Sequence, residues 1–152
     1  MTRIVSIAAL SLALAAMLVG TASASGKNGF FKTPNGKIYC GWGYGSGAGQ
    51  SFVVCGIKNG KLKPKPKNNC AKQGVDYVGN RIAMAAKGKA HVQACAGDAG
   101  PFANPKATKV LKAGKTWRGG GMSCKTTTST VRCTNKSKHG FEMHSNGPYQ
   151  RV

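Results

Sequence analysis

The sequence has 152 residues and a formal net charge of +20, with 23 lysines and arginines against 3 aspartates and glutamates. A chain of this length forms one domain and is hardly long enough for two independent cores. Three carboxylates and three histidines are a poor supply of titratable groups for catalysis, whereas the positive charge indicates an anionic environment or partner.

The first 24 residues have the organisation of a secretory signal peptide. Arg3 is a single early cation, residues 4–20 form an uncharged apolar run, and small residues lead to a cleavage pattern that ends at Ala24. We expect cleavage after Ala24, a disordered leader at residues 25–29 and a single domain at residues 30–152. Because no cysteine for a lipid anchor follows the apolar run, we expect a secreted mature chain with no membrane span, which we treat as a monomer.

The first pair of strands is predicted on either side of a glycine-rich stretch at residues 43–49. Residues 37–40 follow a turn signal, and residues 51–55 are rich in the branched and aromatic side chains that suit a pleated sheet. An even number of cysteines in an exported chain indicates disulfide bonds. A hairpin that turns among the glycines would place Cys40 opposite Cys55 and allow them to form one.

Trp42 and Tyr44 accompany these glycines. Rings in basic surroundings stack on bases or sugars, so the two side chains are candidates for a binding platform. The alternative is that they fold back and cover a small core. Trp117 is a third candidate ring of the same kind.

Residues 58–67, which we call the basic segment, contain the densest positive charge of the chain. Their lysines alternate with asparagine, glycine, leucine and proline, a composition that favours an extended, solvated segment. The segment is either a contact strip for phosphates and other polyanions, with salt-sensitive binding, or an exposed connector. The candidate binding residues are therefore Trp42, Tyr44, Lys58, Lys61, Lys63, Lys65, Lys67 and Trp117.

A second hairpin is predicted from residues 81–86 and 91–95, with a turn at Gly88. A helix at residues 82–86 is the main alternative, because alanine and methionine favour helices. Asp98 lies in the irregular connection that follows, where we expect its carboxylate to accept hydrogen bonds from backbone amides.

The final third of the chain predicts the most regular strands. Cys124 and Cys133 bracket an even number of residues, so a hairpin that turns at residues 128–129 places them directly opposite each other. Cys70 and Cys95 then remain as the third pair. The alternative is that the cysteines are free thiols or bind a metal. They lack the Cys-x-x-Cys spacing of zinc sites, and we predict no metal and no cofactor.

Short strands separated by turn signals favour a mainly β fold. We predict a small antiparallel sandwich or open barrel of hairpins, stapled by disulfides and with little helix. The apolar content is small for a chain of this length, and disulfides that contribute roughly 2–4 kcal/mol each would compensate for it.

A longer pattern runs through the chain. It begins with an aromatic, Pro, Gly and Ile pattern before the first cysteine, continues with prolines before the third, and is most specific at the end of the chain. It consists of Phe31, Pro34, Asn35, Gly36, Lys37, Ile38, Cys40, Pro64, Pro66, Cys70, Cys95, Gly97, Asp98, Leu111, Gly114, Trp117, Gly121, Cys124, Cys133, Thr134, Asn135, His139, Gly140, Phe141, Ser145 and Tyr149. With these residues the chain resembles a family of small secreted actinobacterial proteins whose function is unknown. The resemblance implies a fold class and export, and no activity.

Three classes of function follow from these patterns. The first is a non-catalytic binding module for polyanions, such as nucleic acid, anionic glycans or other cell-envelope polymers. The second is a small hydrolase such as a ribonuclease, in which His139 and His144 act as acid and base beside Lys138. The third is a cationic effector without a defined site, although its charges do not form one amphipathic helix.

Overall fold

The computed structural model describes residues 29–44 and 51–152, so the predicted signal peptide, the cleavage site at Ala24 and the leader up to residue 28 lie outside the described residues. The helical elements are α1 (Cys70–Gln73) and a short 3-10 helix (Gly100–Phe102). The strands are β1 (Gly29–Lys32), β2 (Ile38–Tyr44), β3 (Ser51–Ile57), β4 (Asp76–Ala85), β5 (His91–Ala96), β6 (Lys109–Val110), β7 (Thr116–Gly119), β8 (Met122–Thr126), β9 (Thr130–Asn135), β10 (Gly140–His144) and β11 (Tyr149–Arg151).

The strands form two sheets. The six-stranded sheet has the order β5-β4-β3-β2-β1-β6, and the five-stranded sheet has the order β11-β10-β9-β8-β7. Neighbouring strands are antiparallel except for β1 and β6, which are parallel. The prediction of a mainly β, antiparallel fold with little helix is confirmed. Within the part of the chain that the structure describes, no helix is long and apolar enough to cross a membrane.

The core lies between the two sheets and follows the two-residue period of their strands. In β9, Val131 and Cys133 are buried, whereas Arg132 between them is exposed. Inward-facing side chains of both sheets belong to one hydrophobic cluster, to which the six-stranded sheet contributes Ile38, Val53 and Met84, among others. This alternation is the expected result of a sheet with one buried face.

Three disulfides pin the strands, and they join the same three pairs that the sequence favours: Cys40–Cys55, Cys70–Cys95 and Cys124–Cys133. Two of them link directly opposite residues of a hairpin, with Cα atoms 4.1 Å apart in β2–β3 and 4.0 Å apart in β8–β9. The third joins α1 to β5. Each disulfide therefore stays on one side of the sandwich, and the two sheets are held together by other contacts.

Asn135 connects the end of β9 to the opposite sheet through hydrogen bonds. It ends β9, is 8% exposed, and its amide nitrogen donates to the carbonyl oxygens of Ala85 and Gly88 at 3.0 and 2.7 Å. Its side-chain oxygen accepts hydrogen bonds from the backbone N–H groups of Ser137 and His139. One buried side chain thus satisfies two carbonyls of the opposite sheet and two amides of its own turn.

The hairpin predicted at residues 81–95 is confirmed, and the alternative helix at residues 82–86 is wrong. Ile82 and Met84 are buried in β4, while β5 pairs with it from Asp76 to Ala83. The two-residue burial period outweighs the helix propensity of alanine and methionine, because a neighbouring strand is available on both sides of β4.

We expect Asn135→Ala to lower the free energy of unfolding by about 2–4 kcal/mol, because it leaves buried carbonyl and amide groups without partners. Urea denaturation of the oxidised protein measures the loss. Asn146→Ala is the matched control, since Asn146 is an exposed turn residue. Equal losses in the two variants would contradict the role that we give to the Asn135 contact.

Candidate functional site

The basic segment is anchored to the protein body at both sheets. Leu62 is 1% exposed and Pro66 is buried, whereas the five lysines of the segment are all exposed. The backbone N–H of Leu62 donates to the carbonyl of Gly79 in β4, and that of Lys63 donates to Gly147 in the β10–β11 turn, each at 2.9 Å. The segment is therefore a fixed edge of the molecule with its charges on the outer side.

Four lysines lie in two pairs, and each pair lies over the ring of one tyrosine. The ammonium nitrogens of Lys61 and Lys65 each lie 5.4 Å from the ring centre of Tyr77, so they are separated by no more than twice that distance. Lys32 and Lys58 each lie 5.7 Å from the ring of Tyr39. A cation over an aromatic face gains about 0.5–1 kcal/mol at an exposed site, which helps to hold each pair in place.

Lys61 is further oriented by a hydrogen bond from its ammonium group to the carbonyl oxygen of Val78, at 2.6 Å. Lys61 and Lys65 lie four residues apart in the segment, and the buried Leu62 and Pro66 follow them directly. The exposure of these lysines agrees with the sequence prediction. The sequence does not indicate that two of them contact the ring of Tyr77.

None of the lysines in the described part of the chain forms an ion pair with a carboxylate. The three acidic residues of the whole sequence all lie in this part. Asp98 pairs with Arg81 at 2.9 Å, and Glu142 contacts Arg132 at 3.6 Å and His144 at 3.1 Å. The charge of the basic segment is therefore left to solvent, counterions or a ligand.

The aromatic platform expected beside the lysines is not formed as predicted. Trp117 is 6% exposed, and its ring packs against Phe31 and Trp42 with centre-to-centre distances of 5.7 and 5.8 Å. Trp117 is therefore not an exposed platform ring, because it fills the edge of the core between the sheets. Trp42 is half-buried, and the side chain of Tyr44 lies outside the described residues.

Trp42 and Trp117 line a groove of about 500 Å³, together with exposed apolar residues such as Val110. Lys109 is the lysine that the groove contains among the described residues, and the lysines of the basic segment do not line it. The predicted lysines thus lie near one another, and so do the two predicted tryptophans. The lysines and the tryptophans form two separate surfaces.

The two histidines of the hydrolase hypothesis lie at opposite ends of β10. His139 precedes the strand and His144 ends it, and five residues of extended chain place their Cα atoms roughly 17 Å apart. The hydrolase hypothesis requires the two imidazole groups to lie within about 7 Å of each other, so that one substrate atom fits between them. The imidazole of His144 instead contacts Glu142 at 3.1 Å.

The sequence analysis missed a buried arginine on the outer face of the six-stranded sheet. Arg81 is 4% exposed, and its guanidinium donates to the carboxylate of Asp98 at 2.9 Å and to the Asp98 carbonyl oxygen at 2.6 Å. It also lies over the ring of Phe102, 5.8 Å from its centre. The role expected of Asp98 is wrong, because its carboxylate binds this arginine and not backbone amides.

The two sheets and three disulfides place the chain among small, disulfide-stapled β proteins, and this architecture does not by itself define an activity. A family model described as a family of unknown function (DUF6636) matches residues 8–148. The chain belongs to this family, so the resemblance to a family of unknown function is confirmed. No curated protein and no solved structure matches the chain.

We expect Asp98→Asn to lower the free energy of unfolding by about 1–2 kcal/mol, because the buried guanidinium of Arg81 loses its charged acceptor. Thermal or urea unfolding measures the change. Asp76→Asn is the matched control, since Asp76 is exposed and forms no ion pair in the described part of the chain. If both substitutions had the same effect, the Arg81–Asp98 pair would not be the cause.

Proposed function

We propose that the protein is a secreted, non-catalytic binding module for anionic polymers or cell-envelope components, and that the basic segment is its main contact. The observation that supports this proposal most directly is the one-sided display of charge in the segment. Lysines 61, 63, 65 and 67 are exposed, while Leu62 and Pro66 between them are buried. The three disulfides fit an oxidising compartment, where such bonds persist.

The spacing of the charges favours an extended ligand. Lysines 61, 63, 65 and 67 stand at every second position and are all exposed, so several cations lie close together on one short stretch of the chain. A polymer with a regular repeat of negative groups can contact several of them at once and release the counterions that it held.

The attachment of the segment also favours binding. A free lysine-rich linker loses conformational entropy when it is immobilised by a ligand, and that loss weakens association. Here the hydrogen bonds to Gly79 and Gly147 and the burial of Leu62 have already fixed the backbone. The segment therefore loses less conformational entropy when it binds a polyanion.

The absence of carboxylate partners gives a further reason. The ammonium groups of Lys61 and Lys65 lie beside one tyrosine ring, and neither pairs with a carboxylate among the described residues. A bound phosphate, sulfate or carboxylate would supply the missing negative charge. Lysine is a compact, hydrated charge without the planar fork of arginine, so we expect selectivity for charge density and not for one shaped group.

The experiment is a binding titration of a labelled single-stranded oligonucleotide over a salt series, repeated with a polyuronate as an anionic glycan. We expect Lys61→Gln/Lys65→Gln to reduce the slope of log affinity against log salt by about 1.4 for the oligonucleotide, since each contact contributes about 0.7. The double variant Lys87→Gln/Lys89→Gln is the matched control.

Lys87 and Lys89 are exposed and lie in the β4–β5 turn, at the opposite end of β4 from Tyr77. The control removes the same net charge and should leave the slope nearly unchanged. Equal slopes for the two variants would mean that net charge alone drives association, and the proposed contact would be wrong. Binding that persists unchanged after reduction of the disulfides would also contradict a folded contact site.

A further inference from the structure

The outer face of the six-stranded sheet contains a second concave surface, which the strand register explains. Glycines occupy neighbouring positions on this face, at Gly41 and Gly43 of β2 and at Gly56 of β3. A Cβ atom at Gly41 would lie 2.9 Å from the ring of Phe30, and one at Gly56 would lie 2.7 Å from the ring of Phe102. Rings therefore lie across the glycines and leave a hollow between them.

The hollow is a cavity of about 390 Å³, within the range of small-molecule sites. Its apolar surface includes Phe30, Phe52 and Val54, and its polar wall includes Arg81, Gln93 and Asp98. Arg81 and Gln93 are directly paired in β4 and β5, so their side chains leave the sheet on the same side. Asp98 enters from the loop before the 3-10 helix.

The polar wall retains hydrogen-bonding capacity. Arg81 is 4% exposed, its two terminal nitrogens are bonded to Asp98 and its Nε atom is buried, so it holds Asp98 in place. The side-chain amide of Gln93 is half-buried and makes no hydrogen bond within the described part of the chain. The Gln93 amide and the exposed carboxylate of Asp98 together offer both donors and acceptors.

The charge of the cavity differs from that of the basic segment. Its described lining contains one cation, Arg81, and one anion, Asp98, which form an ion pair. The cavity therefore has no excess charge to attract an anion. A purely apolar occupant would fit the rings but would bury the side-chain amide of Gln93 without a new partner, which is costly.

We propose that this cavity binds one neutral sugar ring of a glycan. A pyranose presents carbon-bound hydrogens on one face, which can pack on Phe30 and Phe52, and hydroxyl groups at its edge, which can bond to Gln93 and Asp98. Phe30 is 38% exposed, so its ring is available at the mouth of the cavity. This site goes beyond the proposed polyanion contact, and no lysine of the basic segment is among its described lining residues.

The test is a nuclear magnetic resonance titration of the isotope-labelled, oxidised protein with neutral methyl glycosides of glucose, galactose, mannose and N-acetylglucosamine. High salt suppresses the contribution of the lysines. We expect at least one glycoside at millimolar concentration to shift the amide signals of Val54, Gln93 and Gly100. Gln93→Ala and Phe30→Ala should each weaken this binding by roughly tenfold.

Val110→Ala is the control, because Val110 is an apolar side chain, 49% exposed, that does not line this cavity. It should bind the glycoside as the unaltered protein does. Gln93 and Phe30 are partly exposed, so amide spectra of their variants are expected to keep the native pattern. A Gln93→Glu variant, which keeps the size of the side chain, provides a second measurement if Gln93→Ala unfolds.

Three outcomes would overturn the sugar site: no glycoside shifts these amides, the shifts occur elsewhere, or the cavity variants bind as tightly as the control. Because the titration uses neutral ligands at high salt, its failure is separate from a failure of the polyanion proposal.

Discussion

The register of two buried cross-strand disulfides determines most of the surfaces of this protein. Cys40–Cys55 and Cys124–Cys133 join directly opposite residues, and all four cysteines are fully buried in the shared core. A shift of either hairpin by one residue would break the bond and turn the strand's inner side chains outward. The covalent links thus fix which residues face the core, and with them the outer row that includes Gly41 and Gly56.

The disulfides do not join the two sheets, so the sandwich depends on burial and on a few polar contacts between sheets. Asn135 bonds to the carbonyls of Ala85, at the end of β4, and Gly88, in the β4–β5 turn, and the basic segment bonds to Gly79 on one side and Gly147 on the other. The second contact has a functional consequence. The same hydrogen bonds that connect the sheets also fix the backbone of the lysines, so stability and the display of charge are coupled.

The sequence predicts the parts of the fold that depend on local pattern. The hairpins follow from the strand-forming residues and from the even number of residues between the paired cysteines. The exposed lysines follow from the composition of the basic segment. The burial of Trp117 and the pairing of Arg81 with Asp98 depend instead on residues far away in the chain. The short strand β6 is a similar case, because only its parallel pairing with β1 makes it a strand. Lys61 and Lys65 contact the ring of Tyr77 because the basic segment packs against β4.

The balance between charge and stability explains why the two proposed contacts use different chemistry. A net charge of +20 on a chain of 152 residues opposes compaction through self-repulsion, and three disulfides offset that cost by restricting the unfolded chain. The basic segment lies apart from the cavity on the outer face of the six-stranded sheet, whose described lining contains one cation and one anion, Arg81 and Asp98. A polymer with both negative groups and neutral sugar rings would therefore meet two complementary surfaces, one selective for charge and the other for shape.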